Sequence, residues 1–184
     1  MYSNLNKDTL IRLTDGELEI CDYVAKRRYK SNRSTGTYDP ASHLKEEHSL
    51  DMLGAAAELA FIKQAGVYPK DFFSFYVRSN LTGTDTGDVT LAGKVIDVKT
   101  TTHKKGRLIV RSSKKMCDIF SFIVQLSDTE YLLKGHFPAD DLLVKERFGH
   151  HKVFRQPCHI AEQKELLLRK LTYTNDGYVG ITNE

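Results

Sequence analysis

Cysteine is scarce in this chain of 184 residues: Cys21, Cys117 and Cys158 lie far apart, with no CxxC pair. An odd number so widely spread builds neither a disulfide framework nor a zinc site, and it fits a reducing compartment. Long apolar runs are missing as well. The opening MYSNLNKDTLIRLTDGE lacks the apolar core of a secretory signal, and nothing later reaches the length of a membrane span. A soluble, cytoplasmic protein with no membrane partner is expected. Several common chemistries lack their motifs. There is no P-loop and no GxGxxG, so a nucleotide cofactor has no support. No GxSxG marks a serine nucleophile around Ser112 and Ser113. His43, His48, His136, His150, His151 and His159 show no HExxH or comparable ligand spacing. Internal repeats and low-complexity segments are absent.

What is present is a globular composition. At 40% hydrophobic and 28% charged residues the chain has enough apolar surface to fold, and its length suits a single domain over residues 1–184. The net charge of +3 is too small to point to a polyanion by itself, so the distribution of charge carries the information. KRRYKSNR, residues 26–33, reads as a solvated face. The second basic stretch differs. Residues 98–116 hold Lys99, Lys104, Lys105, Arg107, Arg111, Lys114 and Lys115 without one acid.

Thr14 three residues before Glu17 is a capping-box pattern and predicts a helix to about residue 29. Turn formers over 31–43 predict a loop. A second helix is expected over about 50–65, with Ser49 as N-cap and Gly66 as its stop. Strands are expected at 73–79, 107–111, 118–126 and 130–137, the last two joined by the short turn SDT. Beyond Pro157, Ile160, Leu167 and Leu171 fall at helical spacing and predict a helix over 159–171. The order gives a mixed α/β or α+β layout: an N-terminal helical segment (8–43), a core (50–143) and the C-terminal helix.

DVTLAGKVIDVKTTT, residues 88–102, is the most informative stretch. Two runs of period two flank Ala92-Gly93, the signature of a hairpin. A turn at Ala92-Gly93 sets Asp88 opposite Asp97; a turn at Gly93-Lys94 sets Asp88 opposite Lys99. Either way Val89, Leu91, Ile96 and Val98 share one face, and Asp88, Thr90, Asp97 and Lys99 the other. Two carboxylates side by side on neighbouring strands repel unless a cation stands between them. Lys99 supplies part of that charge, and a divalent metal ion can supply more.

Glu58 is the second anomaly. It lies in the apolar stripe Leu50, Leu53, Gly54, Ala57, Phe61, Ile62 and Ala65, and the opposite face, with Ala55, Ala56, Leu59 and Ala60, is small or apolar too. The helix reads as enclosed. A carboxylate there must be protonated, bound to metal, or paired, for instance with a buried arginine. Gly54 would allow close approach to a sheet.

Glu58 on a helix, Asp88 on a strand and Asp97-Val98-Lys99 on the next strand resemble the PD-(D/E)XK, or restriction-endonuclease-like, nuclease superfamily. The resemblance runs from about residue 50 to 143, with Gly87 where the superfamily's name has proline. It implies a central mixed sheet of about five strands flanked by helices, and a Mg²⁺-dependent nuclease, with Mn²⁺ as substitute, acting on DNA in a bacterial or bacteriophage setting. It also implies roles. Asp88 and Asp97 would bind the ion with help from the Val98 carbonyl, Glu58 would hold a second ion or a metal-bound water, and Lys99 would orient the attacking water. Asp85 ranks second to Asp88. Thr100, Thr101, His103, Lys104, Lys105, Arg107, Lys114 and Lys115 are candidate contacts to nucleic acid, and RNA stays open as a substrate. The alternative is a non-catalytic nucleic-acid-binding module on the same fold.

Overall fold

A computed structural model describes residues 3–5, 8–34, 47–67, 88–111, 116–150, 157–167, 169–173 and 179–183. The expected strand at 73–79, the loop before Asp88, Asp85, Lys114 and Lys115 lie outside these residues.

After strands β1 (Ser3–Leu5) and β2 (Thr9–Arg12) the chain enters helix α1 (Asp15–Ser34) through the capping box. Thr14 N–H donates to Glu17 Oε2 at 2.7 Å, and Glu17 N–H donates to Thr14 Oγ1 at 3.3 Å. The helix continues past residue 29 to Ser34. Serine and asparagine cost a helix only a few tenths of a kcal/mol each, roughly, so turn formers at 31–34 do not end it. The segment expected to be helical also begins with a strand, β2.

Helix α2 (Glu47–Ala65) starts two residues before Ser49, which is therefore inside the helix and not its cap. It stops where expected. Gly66 N–H donates to Lys63 O and Val67 N–H to Ile62 O, the paired bonds that close a helix C-terminus. Residues 55–62 are all buried, because α1 covers one side of α2 and the main sheet the other. The alanines permit this packing. A Cβ on Gly54 would meet nothing within 4 Å, so that glycine does not bring helix and sheet together.

The main sheet has five strands in the order β2, β7, β6, β4, β3, where β3 is Val89–Leu91, β4 is Lys94–Thr101, β6 is Ile119–Gln125 and β7 is Glu130–Pro138. It is mixed: β4 and β6 run parallel and the other pairs antiparallel. The fold is a mixed α/β arrangement with helices against this sheet. A parallel neighbour requires a crossover. Here the connection from β4 to β6 carries strand β5 (Leu108–Val110), which pairs with β9 (Cys158–Ala161) in a small sheet completed by β8 (Phe148–Gly149).

Two cores result. Val89, Leu91, Ile96, Val98, Ile119 and Ile123 face α1 and α2. Phe120, Phe122, Val124 and Phe137 face the small sheet and the short helices α3 (Ala139–Leu142) and α4 (Gln163–Leu167). This double covering explains the unbroken apolar run of β6. Gly135 on β7 has φ +139°, and a Cβ there would clash with the Leu166 carbonyl, so its absence lets α4 dock against the strand.

The helix expected over 159–171 does not form. Cys158–Ala161 is β9, Gln163–Leu167 is one short helix, and Arg169–Tyr173 is β10, which pairs with β1 and β11 (Val179–Asn183). Ile160, Leu167 and Leu171 share helical spacing, but the ladders to β5 and β1 claim the backbone on either side of α4.

Candidate active site

The β3–β4 hairpin turns at Ala92-Gly93, with φ +43° and +77°, the conformation whose twist suits a two-residue hairpin. That selects one of the two registers. Val89 pairs with Ile96, and Asp88 N–H donates to the Ile96 carbonyl at 2.7 Å, which sets Asp88 beside Asp97. The face partition is as expected, with Val89, Leu91, Ile96 and Val98 buried against the helices.

Asp88 is buried, and its Oδ2 accepts a hydrogen bond from Val98 N–H at 2.6 Å. The N–H and C=O of one strand residue point to the same edge, so the Val98 carbonyl also faces the β3 side. One residue either way along β4, Lys99 Nζ donates to Asp97 Oδ1 at 2.7 Å. Lys99 is the more open of the two, its side chain 38% exposed against 16% for Asp97. The hairpin thus presents two carboxylates, an ammonium and a main-chain carbonyl within one short stretch of two strands.

Glu58 meets Arg28. The guanidinium donates Nη1–H to Oε1 at 2.8 Å and Nη2–H to Oε2 at 2.6 Å, engaging both carboxylate oxygens. Arg28 belongs to the basic run read as a solvated face, yet its side chain is only 20% exposed. Periodicity held the missing signal: Glu17, Cys21, Val24 and Ala25 are buried, and Arg28 continues their stripe. Burial works against the charge on Arg28, but Glu58, and after it Asp88 and Asp51, outweigh that and hold its pKa above the ordinary arginine value. Glu58 and Asp88 therefore share one internal cation.

Asp97 and Lys99 lie on the other side of the sheet. In the parallel ladder they stand opposite Phe120 and Phe122, whose face looks to the small sheet, whereas α2 covers the face with Val98. Asp88, beside the edge strand, connects the two groups. Cys117 records its reach: burial pushes the thiol up to about 12, with Asp97 and Asp88 adding to the rise and Lys99 opposing it.

Among the described residues no three Asp, Glu, His or Cys side chains gather as a metal-holding group. Magnesium keeps several waters and is commonly bound through one or two carboxylates, so Asp88 and Asp97 with the Val98 carbonyl suit one such ion. Glu58, with both oxygens bonded to Arg28, does not suit a second.

The basic track continues from β4. Thr100 and Thr101 are half-buried, and Thr101 Oγ1 accepts from His103 N–H. His103, Lys104 and Lys105 are exposed on a tight loop whose backbone is tied down by Gln163, which donates Nε2–H to the carbonyls of Lys104 and Gly106 at 2.9 and 2.8 Å. Gln163 lies far along the chain and carried no sequence signal. Arg107 is held by Glu162 at 2.9 Å, which balances its charge.

No protein-family model matches the chain, and no curated protein or solved structure matches it. The same described residues contain no helix long and apolar enough to cross a membrane.

Proposed function

We propose that the chain is a metal-dependent nuclease of the PD-(D/E)XK type that hydrolyses phosphodiester bonds of DNA, in the cytoplasm of a bacterial or bacteriophage-infected cell. One observation carries this reading: Asp88 bonded to Val98 N–H, and Asp97 bonded to Lys99, on adjacent strands. Carboxylates in such proximity repel, which favours a bound cation. When bound, Mg²⁺ lowers the pKa of water and offsets charge developing on the phosphate. Asp88, Asp97 and the Val98 carbonyl hold the ion. Lys99, exposed and fixed by Asp97, orients the attacking water and faces the growing negative charge. His103, Lys104 and Lys105, on a loop fixed by Gln163, meet phosphates along the strand.

The test is a cleavage panel of linear, circular, single-stranded and branched DNA plus RNA, with Mg²⁺, Mn²⁺ or EDTA. Cleavage of DNA that needs the metal, and that falls about 100-fold or more in Asp97→Ala and Lys99→Ala, is expected. Activity that survives both substitutions removes the mechanism. The pairing of Glu58 with Arg28 favours a second reading, a non-catalytic DNA-binding module, which the same panel would show as retention without cleavage under every metal.

A further inference from the structure

Arg28 and Glu58 form a fork-to-fork pair in which each carboxylate oxygen receives its own N–H. To ligate a metal ion, Glu58 would have to surrender one of these charge-assisted bonds in a largely buried setting, leaving Arg28 less well compensated. Yet a positive charge already stands there. The guanidinium stays protonated throughout the accessible pH range and is drawn to Asp88 and Asp51 as well as to Glu58. Its side chain keeps enough exposure for an anion to approach.

Building on the nuclease reading, we propose that the centre works with one divalent ion, held by Asp88 and Asp97, and that Arg28, oriented by Glu58, supplies the second positive charge to the scissile phosphate. Glu58 is then a positioning residue for Arg28 and not a metal ligand. A guanidinium suits the task, since its planar fork can bind a carboxylate on one side and approach phosphate oxygens with the rest of the group.

Counting Mn²⁺ bound to the full chain by calorimetry and by electron paramagnetic resonance tests this without reference to activity. The expected result is one ion per chain. Glu58→Gln should leave both the number and the affinity nearly unchanged, whereas Asp97→Asn should weaken binding by about tenfold or more, the scale at which metal sites respond to altered ligands and their supports. In single-turnover cleavage at saturating Mn²⁺, Arg28→Met should slow the reaction by about 100-fold or more, with partial recovery in Arg28→Lys. Should Arg28→Met fail to fold, Arg28→Met/Glu58→Gln removes both charges and gives the same reading. Two bound ions, loss of an ion in Glu58→Gln, or wild-type cleavage without the guanidinium would overturn the proposal. Two ions with intact cleavage sink this inference alone, while a wild type that binds one ion but cuts no substrate sinks the nuclease reading and the role of Arg28 together.

Discussion

Arg28 on α1 and Glu58 on α2, thirty residues apart, close a two-bond ion pair at the boundary between the helices and the β3 edge of the sheet. Removing one partner strands the other charge. Arg28→Met should cost about 3–5 kcal/mol, whereas Arg28→Met/Glu58→Leu, which removes both charges, should be close to neutral. Urea unfolding of the two variants and the wild type measures the difference. Equal losses in the single and double variants would show that the pair is not energetically coupled.

The hairpin turn offers a gain. Ala92 adopts φ +43°, a region that costs a residue with a Cβ about 1–2 kcal/mol and that asparagine tolerates better. Ala92→Asn should therefore raise the thermal midpoint by a few degrees, roughly what 1 kcal/mol gives in a chain of this size. A lowered midpoint would contradict the turn geometry, and with it the register that places Asp88 beside Asp97.

Glu17 links the fold to pH. Burial pushes its pKa up, but hydrogen bonds from Lys63 and from the Thr14 backbone and hydroxyl, together with the Lys63 charge, bring it below the ordinary glutamate value. A depressed carboxyl stabilises the fold above its unfolded pKa and loses that contribution as pH falls through the folded value. The gap in thermal midpoint between wild type and Lys63→Met should thus be widest near neutrality and narrow through the acid range. Parallel curves would rule out the coupling.

The thiols should be silent. All three cysteines are buried, and burial, aided by nearby carboxylates, pushes Cys21 and Cys117 each up to about 12. Thiolate is the reactive form, so a disulfide reagent at pH 8 should label the native protein only as fast as it opens, and label all three cysteines in denaturant. A rapid stoichiometric reaction of the native chain would contradict this packing.

Several features were legible because they are local. The capping box of Thr14 and Glu17, the stop at Gly66 and the two-faced hairpin depend on residues a few positions apart, where spacing maps directly onto geometry. Enclosure of α2 was legible as well, since its alanines and large apolar residues leave no polar face. The class of fold, a five-stranded mixed sheet flanked by helices, followed from the order of such segments.

Tertiary structure decided the rest. The hairpin pattern allowed two registers, and only the turn geometry selects the one with Asp88 beside Asp97. Arg28 looked like one more solvated base until a second helix brought Glu58 to it. Residues 159–171 carry helical spacing, yet strands from elsewhere in the chain claim most of that backbone for two ladders. The pattern of side chains thus determined which faces must be hidden, because burial of apolar surface acts residue by residue. Which distant groups satisfy the charges and backbone donors so hidden depends on contacts between elements far apart in sequence, and those exist only once the chain has folded.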